Sequence, residues 1–399
     1  MNHLENILDK QLKNRPKEVQ FCKRCVISNQ RPRIIFDDEG VCSACRFSDE
    51  KNKSIDWKER ERQLKNLCDT YRKDNGDFDI IVPGSGGKDS AAVAHKLKHQ
   101  YGMHPLTVTW SPFMYTNIGW RNFQNFINSG FINLLATPNG KLHRKLTRIA
   151  FEAVGDPFVP FGYGQISYAF HIALKFDIKL IFYGENGEAE YGGSTKNNYL
   201  PYMPLEDWAE LYFKGATIDD LISWGIKNNI LSEDDFTKSD LTFYRPPPVE
   251  DLKGKGIQMH WFSYYHKWVP QENYYYSAEH TRFEANPDGR SEGTYSKYAS
   301  LDDKLDGLHY WLGYIKFGLG RATSDAAHEI RDGHISREEG IALVHRYEGE
   351  FPKKYFKESL DYMGISEEKF WETIEKYRIG SPHLWEKVDG EWRLKHKVS

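Results

Sequence analysis

Short apolar runs alternate with amphipathic segments in the first half of the chain. The runs are five or six residues long and rich in β-branched and aromatic side chains, which is typical of strands buried inside a sheet. They predict four strands, at Phe78–Val82, Leu106–Trp110, Phe131–Ala136 and Lys179–Tyr183. The segments around them have helical spacing and predict helices at Trp57–Gly76, Asp89–His99, Trp120–Ser129, Lys141–Val154 and Gln165–Phe176.

Strands that alternate with helices of this length predict βαβ units, and therefore an α/β fold with a parallel sheet. Crossovers between parallel strands are right-handed, and such sheets bind their ligands at the carboxyl ends of the strands. We therefore expect the functional loops to follow the strands Phe78–Val82, Leu106–Trp110 and Lys179–Tyr183.

Changes in residue composition along the chain divide it into four predicted parts. These are an N-terminal arm with a Cys-bearing module (1–56), the α/β domain (57–199), a polar insertion or lid (200–255), and an aromatic-rich substrate region with a mostly helical C-terminal region (256–399). In the last part, Ser336–Glu339 has the pattern of a capping box before a helix at Ile341–Tyr347. The Asp389–Gly390 pair is typical of a hairpin turn.

Composition narrows the function classes. The 399 residues carry 54 Lys and Arg against 57 Asp and Glu, a formal charge of −3, so we expect no nucleic-acid partner held by charge. No apolar run approaches the roughly 18–20 residues that span a bilayer, and the charged N-terminus lacks a signal core. We expect a cytoplasmic protein without a membrane partner.

Four cysteines stand in two pairs, Cys22 with Cys25 and Cys42 with Cys45. This spacing is typical of a closed, structural Zn²⁺ site, whose metal would supply folding energy to a module with little core of its own. Disulfides are disfavoured in the cytosol, whereas an iron–sulfur cluster or free thiols stay open as alternatives. Cys68, within a predicted helix, is interpreted as a small buried hydrophobe.

A glycine-rich loop follows the first predicted strand and precedes a helix. Glycines let the backbone turn sharply and expose its N–H groups, and the helix N-terminus adds positive potential, so the loop predicts a phosphate site. It is neither a Walker A loop nor G-x-G-x-x-G, because Lys88 is followed by Asp89. The candidate residues are Ser85, Gly86, Gly87, Lys88, Asp89 and Ser90.

The segment Ser85–Ser90, SGGKDS, resembles the SGGxDS signature of the PP-loop ATP pyrophosphatases. This resemblance implies that ATP is cleaved between its α and β phosphates, that the loop holds pyrophosphate, and that AMP is placed on a substrate oxygen. Lys88 adds positive charge or points to solvent. A carboxylate such as Asp89 is costly among phosphates unless a cation is present, so we expect Mg²⁺ between Asp89 and pyrophosphate.

A second loop, Gly184–Ser194, follows the fourth predicted strand and contains three carboxylates and four glycines. It resembles the acidic glycine-rich loop of the asparagine synthetase branch of the same superfamily. Gly184 is a nucleotide-binding candidate, and Glu185 is the first candidate for a metal or substrate ligand. Glu188 and Glu190 rank lower, because acidic loops are often merely solvated.

Seven segments together resemble one family, the N-acetyl sugar amidotransferases of bacterial surface-polysaccharide and flagellin-glycan synthesis (the WbpG/PseA/WbuX group). The segments are CKRCVIS, VCSACR, PGSGGKDS, LTVTWSPF, LIFYGENGEAEYGG, KWVPQENYYY and GLGRATSDAAHEIRDGHISREEG. The family implies that ATP activates a sugar N-acetyl group as an imidoyl-adenylate, which ammonia converts to an acetamidino group. It also implies a separate glutaminase with a barrel partner, and the sequence itself shows no glutaminase nucleophile.

The nucleotide-sugar substrate is anionic, so cations and aromatic rings are expected around it. The candidates are Lys267, Tyr275, Arg321 and Arg331, with Arg321 ranked first because it follows Gly318 and Gly320. Tyr274, Tyr275 and Tyr276 are expected on a strand, where at most two contact substrate. Trp110 either binds adenosine or packs in the core, and His328 is either a catalytic base or an ordinary helix residue.

Two rival functions differ in class. A PP-loop tRNA-thiolating enzyme also adenylates a carbonyl, but it would need reactive cysteines near ATP, and only Cys68 is unassigned. A zinc-ribbon adaptor with a degenerate nucleotide fold would leave the intact SGGKDS loop unexplained. Release of AMP discriminates the adaptor from both enzymes.

Overall fold

A five-stranded parallel sheet forms the centre of the computed structural model, which describes residues 6–205 and 215–399. Its order is β3-β2-β1-β4-β5, and every neighbouring pair of strands is parallel. The strands are β1 (Ile80–Pro83), β2 (Pro105–Trp110), β3 (Ile132–Ala136), β4 (Leu180–Tyr183) and β5 (Gln258–Trp261). The predicted α/β fold, its parallel sheet and four of its strands are confirmed.

The fifth strand was not predicted and lies beyond the expected end of the α/β domain at residue 199. It is only four residues long, and polar Gln258 and His260 interrupt its apolar pattern. His260 is nevertheless buried, because Tyr265 Oη lies 2.7 Å from its Nδ1 and Gln258 Oε1 lies 3.0 Å from its Nε2. β5 pairs with β4 in register from Leu180 to Tyr183, so the sheet includes chain on both sides of the 200–255 segment.

Helices cover both faces of the sheet. Alternate strand residues point to opposite faces, so Ile81 and Ile181 pack in one apolar cluster while Ile80 and Val82 pack in another. The helices that pack on the two faces are Trp57–Tyr71, Lys88–His99, Asn117–Asn128, Gly140–Val154 and Val159–Phe176. The helix predicted from Trp120 begins earlier because Thr116 Oγ1 accepts a 2.9 Å hydrogen bond from Gly119 N.

The described part of the 200–255 segment packs against the sheet domain. Its helices are Ile218–Lys227 and Val249–Lys255, and its 3-10 turns are Glu233–Asp235 and Ser239–Tyr244. Leu221 and Tyr244 are buried in the apolar cluster that also contains Leu146 and Phe170. Through these side chains the segment shares the core of the sheet domain.

The remaining chain is mostly helical, as predicted. Its helices are Phe262–Tyr265, Pro270–Thr281, Asp306–Phe317, Arg321–Asp332, Arg337–Tyr347, Phe356–Met363 and Glu367–Ile379. The capping box at Ser336 and Glu339 is present. The predicted hairpin is formed by β6 (Trp385–Val388) and β7 (Glu391–Leu394), with positive φ at Asp389 and Gly390.

The prediction of a strand for the three consecutive tyrosines is wrong. Tyr274, Tyr275 and Tyr276 lie in the Pro270–Thr281 helix, which starts with Pro270 at its first turn. Successive residues of a helix point about 100° apart, so the three rings face different surroundings.

The N-terminal module contains the 3-10 turn Lys10–Asn14 and the helix Ser43–Lys53. It shares one apolar cluster with the C-terminal helices, in which Cys25 and Val26 pack with Leu312 and Phe370. Across the described ranges, no helix combines the length and apolar character that crossing a bilayer requires.

Candidate functional site

The turn between β1 and the Lys88–His99 helix requires its glycines. Gly86 has a φ of +86°, and a Cβ there would lie 2.7 Å from the Cα of Phe123. A Cβ at Gly84 would collide with the side chain of Ser90. Only glycine therefore allows this turn to lie against the Asn117–Asn128 helix.

The Lys88–His99 helix begins with open backbone donors. Gly87 is its N-cap and offers no side-chain hydrogen bond to the first turn. Free N–H groups and the positive end of the helix dipole make such a terminus a binding site for phosphate. The predicted phosphate loop therefore has the required geometry.

Two cavities of about 240 Å³ each meet at this loop. The first, which we call the β2 cavity, lies against the end of β2 and is lined there by Trp110, Phe161 and Tyr168. The second, the Arg321 cavity, is lined on its far side by Tyr298, Tyr310 and Arg321. Residues that line both cavities are Ser85, Gly87, Asp89 and Glu185.

This position is where the sheet topology predicts a ligand site. β1 lies between β2 and β4, so the crossovers on its two sides run in opposite directions and leave a crevice at the strand ends. The loops after β1 and β4 supply the shared residues, which confirms that the two glycine-rich loops face each other.

Asp89 and Glu185 bring two carboxylates to the junction of the cavities. Asp89 Oδ1 accepts a 3.1 Å hydrogen bond from Asn273 Nδ2, and Asp89 also pairs with Lys88. Burial and the charge of Asp89 raise the pKa of Glu185 to about 7. Two carboxylates that repel each other beside a phosphate loop fit a hard divalent cation such as Mg²⁺.

The other two carboxylates of the second loop have structural partners. Glu188 Oε2 accepts hydrogen bonds from Arg33 Nε at 3.0 Å and Ser194 N at 2.6 Å. Glu190 Oε2 accepts a 2.9 Å hydrogen bond from Lys51 Nζ, and both side chains are only 2% exposed. Of the three loop carboxylates, Glu185 is the one that lines the cavities.

The four predicted metal ligands converge. The Sγ atoms of Cys22, Cys25, Cys42 and Cys45 all lie within 4.8 Å of one another, and all four side chains are buried. Cys22 Sγ accepts backbone hydrogen bonds from Arg24, Cys25 and Cys42 at 3.3–3.5 Å. Backbone donors aimed at sulfur stabilise a thiolate, so the cluster fits a tetrahedral metal such as zinc.

Cys68 lies apart from this cluster. Its side chain is fully buried in the layer formed by Leu64, Val82 and Leu97. Burial raises the pKa of the Cys68 thiol to about 12, so the thiol stays protonated and unreactive.

Besides the residues of the two loops, two of the predicted ligand-binding residues reach the cavities. Arg321 lines the Arg321 cavity, where its Nη1 donates to Ser300 Oγ at 3.1 Å and its guanidinium lies 4.4 Å from the Tyr310 ring centroid. Trp110 lines the β2 cavity, and its Nε1 makes no hydrogen bond. The Trp110 ring also packs directly on Gly164, so it contributes to the core as well as to the cavity wall.

The other three predicted substrate residues lie elsewhere. Lys267 is exposed, and Tyr275 is 61% exposed; neither lines the two cavities. Arg331 points to the four-cysteine cluster instead, because its Nη1 lies 4.0 Å from Cys25 Sγ and its Nη2 donates to Glu190 O at 2.9 Å. The cation that the structure brings to the Arg321 cavity from the C-terminal region is Arg321.

Several cavity residues were not predicted. They include Phe161 and Tyr168 in the β2 cavity and Asn122, Tyr191, Tyr298, Asp302 and Tyr310 in the Arg321 cavity. Tyr191 lies within the second loop and could have been found there, since its hydroxyl donates to Glu185 Oε1 at 3.4 Å. The others come from distant segments without a motif of their own, so only the folded chain brings them together.

The C-terminal quarter of the chain matches a known family. Residues 292–399 match the model of the LPS biosynthesis protein WbpG-like, C-terminal domain. This segment includes Tyr298, Tyr310 and Arg321, which form one wall of the Arg321 cavity. No curated protein matches the chain by sequence. The family match confirms the resemblance to the WbpG group.

Proposed function

We propose, on the premise that this chain carries the WbpG-like C-terminal domain, that it is an ATP-dependent, AMP-forming amidotransferase acting on a nucleotide-linked sugar. The domain indicates an enzyme of sugar biosynthesis. The proposal of an ATP-dependent, AMP-forming reaction rests on one observation. Two cavities meet at one predicted phosphate loop, where Ser85, Asp89 and Glu185 line both. A site of this form suits the transfer of a nucleotide group from one ligand to another.

The β2 cavity is proposed to hold the adenosine of ATP. Trp110, Phe161 and Tyr168 offer apolar and aromatic surface for a purine, and the unpaired Trp110 Nε1 offers a donor. From there the phosphate chain would reach the open N–H groups at the start of the Lys88–His99 helix, with the hydroxyls of Ser85 and Ser90 beside it.

The Arg321 cavity is proposed to hold the sugar substrate. Lys88 and Arg321 supply positive charge for its phosphates, and Tyr298 and Tyr310 supply rings against which a sugar can pack. The shared residues would then hold the acetamido oxygen next to the α-phosphate of ATP, which lowers the entropic barrier to their reaction.

The proposed reaction has two steps. The acetamido oxygen attacks the α-phosphorus, the bond to the β-phosphate oxygen breaks, and pyrophosphate leaves from the loop with the proton of the amide N–H. Ammonia then attacks the imidoyl carbon, the bond between that carbon and the AMP oxygen breaks, and an acetamidino group remains. Adenylation is required because an amide oxygen is a poor leaving group whereas AMP is a good one.

Asp89 and Glu185 would hold Mg²⁺, which neutralises charge that builds on the phosphate oxygens when it is bound. Lys88, which pairs with Asp89, would orient that carboxylate and add charge next to the departing pyrophosphate. The four-cysteine cluster would hold a structural Zn²⁺, since four thiolates leave no coordination position open for substrate.

The nitrogen donor is proposed to be ammonia from a separate glutaminase with a barrel partner, and free ammonium would substitute for it. The pathway would be cytoplasmic synthesis of a surface polysaccharide, such as the O-antigen of lipopolysaccharide, or of a flagellin glycan. The buried, protonated thiol of Cys68 argues against the tRNA-thiolating alternative, because that reaction needs an accessible thiolate near ATP.

Product analysis tests the proposal. The purified chain is incubated with ATP, ammonium and a panel of UDP- and CMP-linked diacetamido sugars, and the matched controls are the same sugars with free amines. We expect AMP, pyrophosphate and a product in which NH replaces one oxygen, detected by mass spectrometry, only with acetylated sugars. Formation of ADP, or no sugar-dependent use of ATP across the panel, would refute the proposal.

A further inference from the structure

A third, smaller cavity adjoins the Arg321 cavity. Its volume is about 50 Å³, and it shares Lys88, Tyr191 and Arg321 with its larger neighbour. We call it the His328 cavity, because it is lined by His328 from the Arg321–Asp332 helix, a side chain only 4% exposed. The adenylation chemistry proposed above gives this cavity no role.

Buried polar atoms around His328 have no hydrogen-bond partner. Neither ring nitrogen of His328 makes a hydrogen bond, although Nε2 lies 3.5 Å from Asp332 Oδ2 and 3.8 Å from Glu190 Oε2. Glu190 Oε1 makes none either. Buried polar groups are nearly always satisfied, so this cluster indicates a missing small ligand that can both donate and accept hydrogen bonds.

Carboxylates form the inner end of this cavity, and two of them already pair with cations. Asp325, Glu329 and Asp332 line it, and burial raises the pKa of Glu329 and of Asp332. Lys51 pairs with Asp332 at 3.5 Å and Arg321 pairs with Asp325 at 2.9 Å. A further cation therefore gains little here, and the cavity favours a neutral ligand that both donates and accepts hydrogen bonds.

We propose that the His328 cavity binds ammonia and delivers it to the Arg321 cavity. This inference rests on the proposed amidotransferase function. The cavity has room for a ligand the size of water, and ammonia can exchange hydrogen bonds with the His328 ring and with the carboxylate of Asp332, since both residues line it.

The proposed step balances. Ammonia passes Tyr191, whose ring lies edge-on to His328 with centroids 5.1 Å apart. Its lone pair forms the C–N bond as the C–O bond to AMP breaks, and AMP leaves with that electron pair. The amidinium product retains the three hydrogens of ammonia. Burial and the charges of Arg331 and Lys51 hold the pKa of His328 well below its usual range, so its ring stays neutral and can accept a hydrogen bond.

The test separates ammonia binding from adenylation. The KM for ammonium and the KM for ATP are measured in AMP formation, and sugar-dependent ATP–pyrophosphate exchange is measured without ammonia. We expect His328→Leu to raise the KM for ammonium, the source of ammonia in this assay, about threefold to tenfold, since it removes a hydrogen bond to ammonia. The exchange rate and the KM for ATP should stay within about twofold of wild type.

Two further variants complete the design. His328→Gln keeps a hydrogen-bonding side chain and should restore part of the affinity for ammonia. His345→Leu is the matched control, because this histidine lies on the next helix, with its Nε2 2.7 Å from Val398 O, and lines none of the three cavities.

The outcomes are distinguishable. If the wild-type chain shows no sugar-dependent exchange, the proposed function fails and this inference fails with it. If exchange is normal but the KM for ammonium is unchanged in His328→Leu, or rises together with the KM for ATP, the inference alone is overturned. The His328 cavity then holds only water or has a purely structural role.

Discussion

The carboxylate of Asp89 lies where both large cavities reach the phosphate loop. We expect Asp89→Asn to lower AMP formation by about two orders of magnitude or more, because a neutral amide cannot hold a divalent cation against phosphate. The variant is nearly isosteric, so its thermal unfolding should match that of wild type. Asp69→Asn, which removes a surface partner of Arg72, is the matched control and should keep full activity. Near-normal turnover in Asp89→Asn would refute the metal role.

Asp303 makes the stability of the protein depend on pH. It is 4% exposed, accepts backbone hydrogen bonds from Phe113 and Leu305, and burial raises its pKa from 3.8 to about 8. The native state therefore holds a proton that the unfolded chain releases. The stabilisation this provides is complete below about pH 4 and is lost as the pH rises to about 8.

We therefore expect the free energy of unfolding, measured by urea denaturation from about pH 5 to about pH 8, to fall less steeply in Asp303→Asn than in wild type. The exposed Asp361→Asn variant should keep the wild-type slope. Equal slopes for Asp303→Asn and wild type would show that Asp303 is already ionised in the native state.

Individual site residues could be predicted where the chemistry is local. The loop residues Ser85 and Asp89 and the four cysteines lie within short motifs, and the structure places the first two at the junction of the cavities and brings the four Sγ atoms together. Lys267 and Tyr275 were predicted only from their charge or aromatic ring, and they lie outside the cavities. The charge or the aromatic ring of a side chain does not determine which way it faces, because its direction depends on packing between distant segments.

The Ser43–Lys53 helix packs against the second glycine-rich loop, Gly184–Ser194, and contacts it through Lys51. Lys51 Nζ donates to Glu190 Oε2 at 2.9 Å and to Trp268 O at 3.0 Å, and its side chain is 2% exposed. We expect Lys51→Met to lower the free energy of unfolding by about 3 kcal/mol, because it leaves buried carboxylates without their cation.

The same helix offers a matched control for Lys51. Lys53 pairs with Asp49 at the surface and is 74% exposed, so Lys53→Met should change the free energy of unfolding by less than about 1 kcal/mol. Equal effects of the two substitutions in urea denaturation would contradict the structural role of the buried pair.

The four-cysteine cluster is expected to support the same loop through its metal. Metal analysis of purified protein should find a single zinc ion per chain. Iron together with visible absorbance would instead show that the cysteines hold an iron–sulfur cluster.

Removing the metal with a chelator should increase hydrogen exchange in residues 21–53 and in Gly184–Ser194, because Arg33, Lys51 and Arg331 connect the two segments. Unchanged exchange in the loop would disprove this connection.

Helices and strands could be predicted where their hydrophobic pattern extends over many residues or where capping and turn residues mark their ends. The capping box at Ser336 and the turn at Asp389–Gly390 are such signals, and both are confirmed. β5 was missed because it is short and half polar, and its pairing with β4 decides its conformation. The aromatic character of Tyr274–Tyr276 favours a strand, although Pro270 marks a helix start.

The molecule as a whole assembles its site from distant segments. The loop after β1, the loop after β4 and the Tyr298–Arg321 segment meet around the Arg321 cavity, and the C-terminal helices share their core with the four-cysteine module. The parallel sheet and the site's position at its carboxyl edge could be predicted from the strand pattern. The far wall could not, because no local pattern specifies how the C-terminal helices dock.

The central claim is that the acetamido oxygen of a sugar attacks the α-phosphorus of ATP at this junction of cavities. The most direct test uses a substrate whose acetamido oxygen is ¹⁸O, with the released nucleotide and phosphates examined by mass spectrometry. The account predicts AMP that carries the ¹⁸O label and unlabelled pyrophosphate. Label in pyrophosphate or inorganic phosphate, or AMP whose added oxygen comes from water, would contradict it.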